Sequence, residues 1–311
     1  MRLKKSKWIN IPSPRYPVTL KYLILWVIAP IKPFIFTNIA KIKNANLLGF
    51  VFKLGNTLLR WPIKVNYNNN VNLFEIIEGD IKLYIKRIQY LKLYSKGIKK
   101  RFQLLINQYH LNDIDFSKDD LVIDVGANVG EISLILSKYF DCSTFSIEPE
   151  EAEYKCLKLN LEGYDSDFLN NPLWKEEKAL PFYSANEELD SSCFETEDYT
   201  QIIEKDAKTL TNIIESFNGR RVKLLKLEAE GAEPEILQGG INSLHLVDYI
   251  SADVGPERGL SYETTLVSTV NILKNCGFEL IKMGHPRLIC LFKNISLELP
   301  AKNNKTKISV K

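Results

Sequence analysis

The segment from Leu121 to Gly130, which reads L-V-I-D-V-G-A-N-V-G, constrains the fold of this chain more than any other stretch. Its first three residues are apolar and predict a short buried strand that ends at Asp124. Gly126 and Gly130 then allow a tight turn into the helix E-I-S-L-I-L-S-K-Y-F. Glycines let the backbone approach a ligand closely, and the start of a helix presents unpaired N–H groups. The segment therefore predicts a strand–turn–helix unit that binds a nucleotide.

An acidic residue follows this unit at an informative distance. The mostly apolar stretch Cys142–Ile147 predicts a second strand, and Glu148 comes directly after it, eighteen residues past Gly130. In Rossmann-like folds, an acid at the tip of the second strand, about 20 residues after the glycine turn, accepts hydrogen bonds from the ribose hydroxyls. Glu148 is therefore predicted to bind a ribose.

The turn itself differs from one that binds a dinucleotide. Dinucleotide sites favour G-x-G-x-x-G, whereas this turn reads D-x-G-x-x-x-G, with Asn128 where the middle glycine would fall. An acid before the turn is unfavourable beside a pyrophosphate but suits a cation such as S-adenosylmethionine, which carries a sulfonium, an ammonium and no phosphate. The pattern favours S-adenosylmethionine over NAD. Two alternatives stay open: a nicotinamide-dependent, sugar-modifying oxidoreductase and a catalytically inactive cofactor-binding module.

Three segments in combination carry a family resemblance. They are V-I-D-V-G-A-N-V-G, then S-I-E-P, then L-L-K-L-E-A-E-G-A-E-P-E-I-L-Q-G at 224–239. The chain resembles the FkbM family of S-adenosylmethionine-dependent O-methyltransferases from about Tyr94 to about Asn294. The resemblance implies a class I methyltransferase fold and methyl transfer to a hydroxyl, often on a sugar or a polyketide. The family usually has Asp at the position of Glu228, so the longer acid puts any Asp-specific role there in doubt.

The order of predicted elements agrees with that fold. Strands and helices alternate after residue 120, which predicts an α/β, Rossmann-like, doubly wound and mainly parallel sheet of seven strands. The last two strands are separated only by the turn Gly284–Arg287, so the last strand is predicted to run antiparallel. A strand pair over Leu73–Ile85 and an amphipathic helix over Tyr94–Tyr109 are predicted to lead into this sheet.

Charge divides the chain unevenly. Residues 1–64 contain twelve Lys and Arg and no acid, whereas the other 247 residues carry 29 basic and 38 acidic side chains. We predict a basic, aromatic N-terminal extension over 1–70, a methyltransferase domain with its lead-in hairpin and helix over 71–298, and a disordered basic tail over 299–311. The extension is either a helical prefix or a segment that binds an anionic membrane surface through residues 1–64.

The cysteines and the recognisable motifs of the chain indicate its cellular compartment and the class of its partner. The five cysteines are odd in number and show no C-x-x-C spacing, which indicates a reducing compartment. We expect a cytoplasmic protein, either free or peripheral on the inner membrane face. The expected partner is a sugar, glycan or glycolipid acceptor. No nucleic-acid partner is expected, because the sequence holds no recognisable reader motif.

Ligands of open α/β sheets bind outside the carboxyl ends of the strands, so the residues that follow each strand form the candidate site. Asp124 or a nearby acid is expected to bind the methionine ammonium, and Asn171 either faces the adenine or caps a turn. The predicted cofactor-binding residues are Asp124, Gly126, Ala127, Asn128, Gly130, Glu148 and Asn171.

Methyl transfer to an alcohol also needs a base that removes the hydroxyl proton. Glu230 is the preferred candidate, because it lies in the motif E-G-A-E at the mouth of the fourth strand. Arg101 is expected either to contact the carboxylate of the cofactor or to form a salt bridge on the protein surface. No metal site is predicted, since no tight cluster of ligand residues requires one. The candidate catalytic residues are Glu230, Glu228, Asp253 and His285.

Overall fold

A computed structural model describes residue 51 and residues 61–185, 191–196 and 199–296. The predicted basic tail lies outside the described residues. So does the predicted N-terminal extension, except for Val51 and the residues from Trp61 onward. Within the described part, no helix has the length and apolar character that crossing a membrane requires.

The described residues form strands and helices that alternate through most of the chain. The strands are β1 (Lys64–Asn68), β2 (Leu73–Glu78), β3 (Ile81–Ile85), β4 (Leu121–Val125), β5 (Ser143–Ile147), β6 (Ser166–Leu169), β7 (Leu173–Trp174), β8 (Ala179–Ala185), β9 (Tyr199–Asp206), β10 (Lys208–Thr209), β11 (Val222–Leu227), β12 (Val247–Asp253), β13 (Pro256–Arg258), β14 (Glu263–Thr264), β15 (Phe278–Met283) and β16 (Ile289–Asn294). The α-helices are α1 (Ile98–Gln108), α2 (Glu131–Phe140), α3 (Glu151–Asn160), α4 (Leu210–Glu215), α5 (Glu233–Gln238) and α6 (Leu266–Asn275).

The central sheet has seven strands in the order β15-β16-β12-β11-β4-β5-β6. β4 pairs in parallel with β5 and β11, while β16 runs antiparallel to both β12 and β15. This confirms the predicted Rossmann-like, mainly parallel sheet with an antiparallel last strand. The order reverses at β4, so the loops after β4, β5 and β11 meet at one edge, where such sheets bind ligands.

Both faces of the sheet are covered, which explains the run of apolar residues in β4. Every residue of β4 is buried. One hydrophobic core lies under α2, α3 and the lead-in segment, and it includes Ile135 and Phe102. The other lies under α4, α5 and α6, and it includes Ile236 and Leu273. A strand buried on both faces needs this apolar composition.

The lead-in region is larger than the sequence indicates. β1 pairs antiparallel with β2, and β2 with β3, so the predicted hairpin is one part of a three-stranded sheet. The polar run Asn68–Asn70, where the predicted extension ends, overlaps the turn between β1 and β2. The domain division at residue 70 stays a prediction.

A second hairpin lies beside the central sheet. β8 pairs antiparallel with β9, and β9 has no counterpart among the strands predicted from the sequence. Most residues of β9 are exposed and none is buried. Its polar, charged sequence therefore lacks the apolar alternation by which strands are recognised.

The side chain of Asn160, on α3, joins the lead-in sheet to the turn after β4. Its Oδ1 accepts a hydrogen bond from the Tyr84 N–H at 2.6 Å, and its Nδ2 donates to the carbonyls of Tyr84 and Val129 at 3.0 and 2.7 Å. These groups are buried, so removing the amide would leave them unsatisfied.

We expect Asn160→Ala to lower the free energy of unfolding by about 2–4 kcal/mol, since three buried hydrogen bonds are lost together. Chemical denaturation monitored by circular dichroism would measure the change. The exposed Asn112 provides a control, and Asn112→Ala should change the stability by no more than about 0.5 kcal/mol. Equal stabilities of the two variants would contradict the assigned role of Asn160.

Candidate active site

The turn after β4 is shaped by close packing against its neighbours. Gly126 has a φ of +70°, and a Cβ there would lie 1.7 Å from the Glu228 carbonyl oxygen on the adjacent loop. Gly130 has a φ of +86°, and a Cβ there would lie 2.7 Å from the Leu157 side chain. A side chain at either position would force these loops apart. Both glycines are thus required by packing within the protein, beyond any approach to a ligand.

Glu148 lies beside this turn at the end of β5, as predicted. The Asn128 N–H donates to its Oε2 at 2.8 Å, and the Glu150 N–H donates to its Oε1 at 2.8 Å. Burial raises the pKa of the Glu148 carboxyl to about 8, because the two backbone donors only partly offset the loss of water. Each carboxylate oxygen keeps a second lone pair, so the group is oriented to accept further hydrogen bonds from a diol.

A cavity of about 360 Å³ opens at this edge of the sheet. Its walls include residues of the loops after β4, β5 and β11, together with side chains of the lead-in segment. The predicted site residues that line it are Gly126, Ala127, Asn128, Glu148, Glu228 and Glu230.

The other predicted residues lie elsewhere. Asp124 is fully buried and Gly130 supports the start of α2, so neither belongs to the wall of the cavity. Asn171 donates to the Asp206 carbonyl at 2.8 Å, which agrees with the turn-capping alternative and not with adenine contact. Asp253 is buried and ion-paired with Arg287, and His285 is exposed in the β15–β16 turn.

Lys226, which the sequence analysis did not select, is the central cation of the site. Its ammonium lies 3.2 Å from both Asp124 Oδ1 and Glu228 Oε2. It also donates to the carbonyls of Val125 and Gly126 at 3.1 and 2.6 Å. Burial alone would lower the pKa of this amine, but the two carboxylates outweigh it and raise the pKa above its ordinary value. Lys226 therefore stays charged inside the protein.

Glu228 belongs to the same ionic network. Its Oε1 lies 2.5 Å from an Arg287 nitrogen, and its Oε2 accepts a hydrogen bond from the Tyr109 hydroxyl. Burial would raise the pKa of Glu228, yet Lys226 and Arg287 outweigh that effect and lower it to about 2. A carboxylate held ionised so strongly is a weak base at neutral pH.

Glu230 has a different environment. It lines the cavity and has a φ of +50°, an uncommon backbone conformation for a residue other than glycine. Such strained residues concentrate at functional sites. The Glu230 carbonyl accepts a hydrogen bond from Ser192 Oγ at 3.1 Å, which fixes the strained loop from the opposite wall. Because Glu228 is held ionised by two cations, Glu230 stays the predicted proton acceptor of this motif.

The lead-in segment forms another wall of the cavity. Arg101 lines it and forms a two-pronged ion pair with Glu131, with distances from 2.8 to 3.2 Å between the guanidinium nitrogens and the carboxylate oxygens. Of the two roles predicted for Arg101, the structure shows the salt bridge. Tyr90 and Tyr94 line the same wall, and neither was selected from the sequence.

The residues present fit S-adenosylmethionine. Glu148 is placed for the ribose hydroxyls, and the turn at Gly126–Asn128 leaves its backbone exposed to the cavity. Six acidic and five basic side chains line the cavity, so the lining has no net positive charge that would oppose a cationic donor. Among the residues that the structure describes, no group of three or more His, Cys, Asp or Glu side chains is arranged to hold a metal ion.

Comparison with known proteins agrees with this site. The family model of the methyltransferase FkbM domain matches residues 124–280, half of the chain. Methyltransferase 1 of Beauveria bassiana (strain ARSEF 2860) is 25% identical over 172 residues, which are 46% of this chain and 68% of that protein. These matches favour a methyltransferase over the nicotinamide-dependent alternative.

Solved structures of methyltransferases align with part of this chain. Precorrin-6y C5,15-methyltransferase from Geobacter metallireducens GS-15 has a TM-score of 0.37 at 10% identity, covering 62% of this chain and 87% of that one. A TehB-like SAM-dependent methyltransferase from Corynebacterium glutamicum ATCC 13032 Kitasato has a TM-score of 0.34 at 11% identity, covering 63% and 95%.

We expect Lys226→Met to lower the free energy of unfolding by about 3–5 kcal/mol, because it leaves Asp124 and Glu228 without their buried counter-ion. The control is Lys282→Met, which breaks the exposed pair between Lys282 and Asp113 and should cost about 1 kcal/mol or less. Urea denaturation would measure both. A Lys226 variant as stable as the Lys282 variant would refute the central role of this ammonium.

The pKa of Glu148 makes cofactor binding depend on pH. At pH 7 most of this carboxyl is protonated in the free protein, since its pKa is about 8, whereas ribose hydroxyls donate best to its ionised form. Affinity for S-adenosylhomocysteine should therefore rise roughly tenfold between pH 7 and pH 9. Calorimetric titration would show this. Glu148→Gln should bind more weakly and without that rise, and a persisting rise would assign the proton to another group.

Proposed function

Because the chain belongs to the FkbM family of methyltransferases, for which S-adenosylmethionine is the methyl donor, we propose that it methylates a hydroxyl group of a sugar, in a glycan or a glycosylated product. The observation that supports this most directly is the position of Glu230. Glu230 is one of the residues that line the cavity, at the mouth of β11 and on the same loop as the ionised Glu228. A hydroxyl acceptor needs such a base, whereas a more nucleophilic acceptor would not.

The proposed chemistry assigns one task to each group. The bound donor supplies a methyl group already activated by a sulfonium. The cavity walls orient the acceptor oxygen, and orientation contributes up to about 7–11 kcal/mol in ideal intramolecular cases. As the new oxygen–carbon bond forms and the sulfur–carbon bond breaks, the Glu230 carboxylate accepts the hydroxyl proton. Glu228 stays ionised and contributes negative charge beside the cationic donor.

A direct assay tests the proposal. The purified full chain would be incubated with S-adenosylmethionine and a panel of methyl glycosides, and the products analysed by mass spectrometry with fragmentation. We expect a methyl ether on one sugar hydroxyl. Binding of S-adenosylhomocysteine without methylation of any sugar would refute the proposed acceptor and favour the inactive-module alternative.

The role of Glu230 makes a separate prediction. Glu230→Gln should lower kcat by about 10²–10⁴-fold, the usual contribution of a general base, while the affinity for S-adenosylhomocysteine changes little. His285→Ala is the matched control, because His285 was a candidate base but is exposed and outside the cavity wall. That control should retain kcat within about twofold. Equal losses in the two variants would contradict the assignment.

A further inference from the structure

We propose that Glu233 is a positioning residue, whose buried side chain fixes the turn that carries Glu230 and so places the base beside the acceptor hydroxyl. This turn comprises residues 229–231, between β11 and α5. The role of Glu233 rests on the proposed function, because it concerns the base of the same reaction. Glu233 is 1% exposed and is not among the residues that line the cavity, so it acts through Glu230 and not on the acceptor.

The backbone of the turn has an uncommon conformation that depends on its surroundings. Glu230 has a φ of +50° and Gly231 has a φ of +94°, so two consecutive residues lie in the left-handed region. This region is unfavourable for a residue with a Cβ, such as Glu230. Strained residues persist only where the surrounding structure fixes them. The contacts that fix this turn therefore determine where Glu230 lies.

Glu233 binds the turn on both sides of Glu230. Its Oε1 accepts hydrogen bonds from the Ala229 N–H at 2.9 Å and from the Gly231 N–H at 3.3 Å. One oxygen thus holds the chain before and after the proposed base. Burial raises the pKa of the Glu233 carboxyl to about 7, although its hydrogen bonds act in the opposite direction. Both the ionised and the protonated carboxyl keep an acceptor oxygen, so either form can hold the turn.

The second oxygen of Glu233 is fixed from a different element. Thr265, the residue directly before α6, is 2% exposed, and its hydroxyl donates to Glu233 Oε2 at 3.0 Å. A functional group is held precisely when hydrogen bonds also fix the residue that supports it. The start of α6 therefore anchors Glu233, and Glu233 anchors the turn.

Two further side chains hold the carbonyl groups of the same turn. The Ser192 hydroxyl donates to the Glu230 carbonyl at 3.1 Å, and Arg258 Nη1 donates to the Gly231 carbonyl at 2.8 Å. Contacts from separate parts of the chain thus converge on three residues. Ser192 lines the cavity, whereas Glu233 does not. Replacing Glu233 therefore changes the support of the turn without changing the surface that the acceptor meets.

A double-mutant cycle tests whether Glu233 acts through Glu230. The kcat of the full chain would be measured for Glu233→Ala, Glu230→Gln and the double variant, with the sugar that the wild-type protein methylates. Glu233→Ala should lower kcat by about 10–100-fold, because misplacing a catalytic group by about 1 Å can cost about 10²-fold. In the Glu230→Gln background, the same substitution should lower kcat by less than about threefold. The affinity for S-adenosylhomocysteine should change little in all three variants.

The conservative variant separates positioning from mere loss of stability. Glu233→Gln keeps an acceptor oxygen for the two N–H groups, and its amide nitrogen can donate to the Thr265 hydroxyl. Its kcat should therefore lie within about fivefold of the wild-type value, since the contacts that hold the turn are retained. A Gln variant as slow as the Ala variant would contradict the assigned contacts.

A milder variant serves if Glu233→Ala fails to fold. Thr265→Val removes only the hydroxyl that fixes Glu233 Oε2, and it should lower kcat by about 3–10-fold. The matched control is Thr269→Val on α6. Thr269 is fully buried, and its hydroxyl has no hydrogen-bond partner among the described residues, so this control should retain kcat within about twofold. Equal kcat values for the two threonine variants would overturn the role of Glu233.

Amide hydrogen exchange provides a readout that does not depend on activity. The N–H groups of Ala229 and Gly231 should exchange at least about tenfold faster in Glu233→Ala than in the wild-type protein. Unchanged exchange, or losses of kcat that multiply in the double variant, would overturn the positioning role and leave sugar methylation standing. Faster exchange in a protein whose wild type methylates no sugar would overturn the proposed function, and with it the role of Glu233 toward a hydroxyl.

Discussion

The buried ammonium of Lys226 is the interaction on which the rest of the site depends. It joins two neighbouring strands, since Lys226 on β11 lies opposite Asp124 on β4 in the sheet register. It also binds the backbone carbonyls of the cofactor turn and the carboxylate of Glu228. The cofactor turn and the β11 loop are therefore held by one cation, and any displacement of it would move both. This explains why Asp124 lies outside the cavity wall: its carboxyl group contacts the protein's own ammonium and not the ligand.

The same network resolves the question of Glu228. An Asp at this position would be shorter by one methylene and would place its carboxylate farther from Arg287 and Tyr109. The longer Glu228 reaches Lys226, Tyr109 and Arg287 together. These partners hold its pKa near 2, which suits a fixed negative charge and not proton transfer. Glu230, two residues later, lines the cavity in an uncommon backbone conformation, so we expect the two acids of one motif to have different tasks.

The sequence predicted the fold well where one local pattern decides the structure. The segments predicted as strands from Leu121 to Asp124 and from Cys142 to Ile147 form β4 and β5, each within one residue of the predicted bounds. A short strand followed by a glycine turn or an acid is recognisable without any partner. The partners themselves were not predictable. Lys226 meets Asp124 across 102 positions of chain, and Tyr109 meets Glu228 across 119. Such contacts follow from strand order and register, which periodicity does not specify. The exposed strand β9 was missed for the opposite reason, since it lacks an apolar face.

Different parts of the chain build the two ends of the cavity. The cofactor end is built from loops after β4 and β5, inside the region that the family model matches. The lead-in wall comes from residues 87–109, before that region begins. The loops at the carboxyl ends of the strands can bind the donor whichever acceptor is used. The elements added around these loops are therefore expected to select the acceptor. In that wall Arg87 and Arg101 are each paired with a carboxylate from the matched region, Glu153 and Glu131, so these two ion pairs join the added wall to the core of the fold.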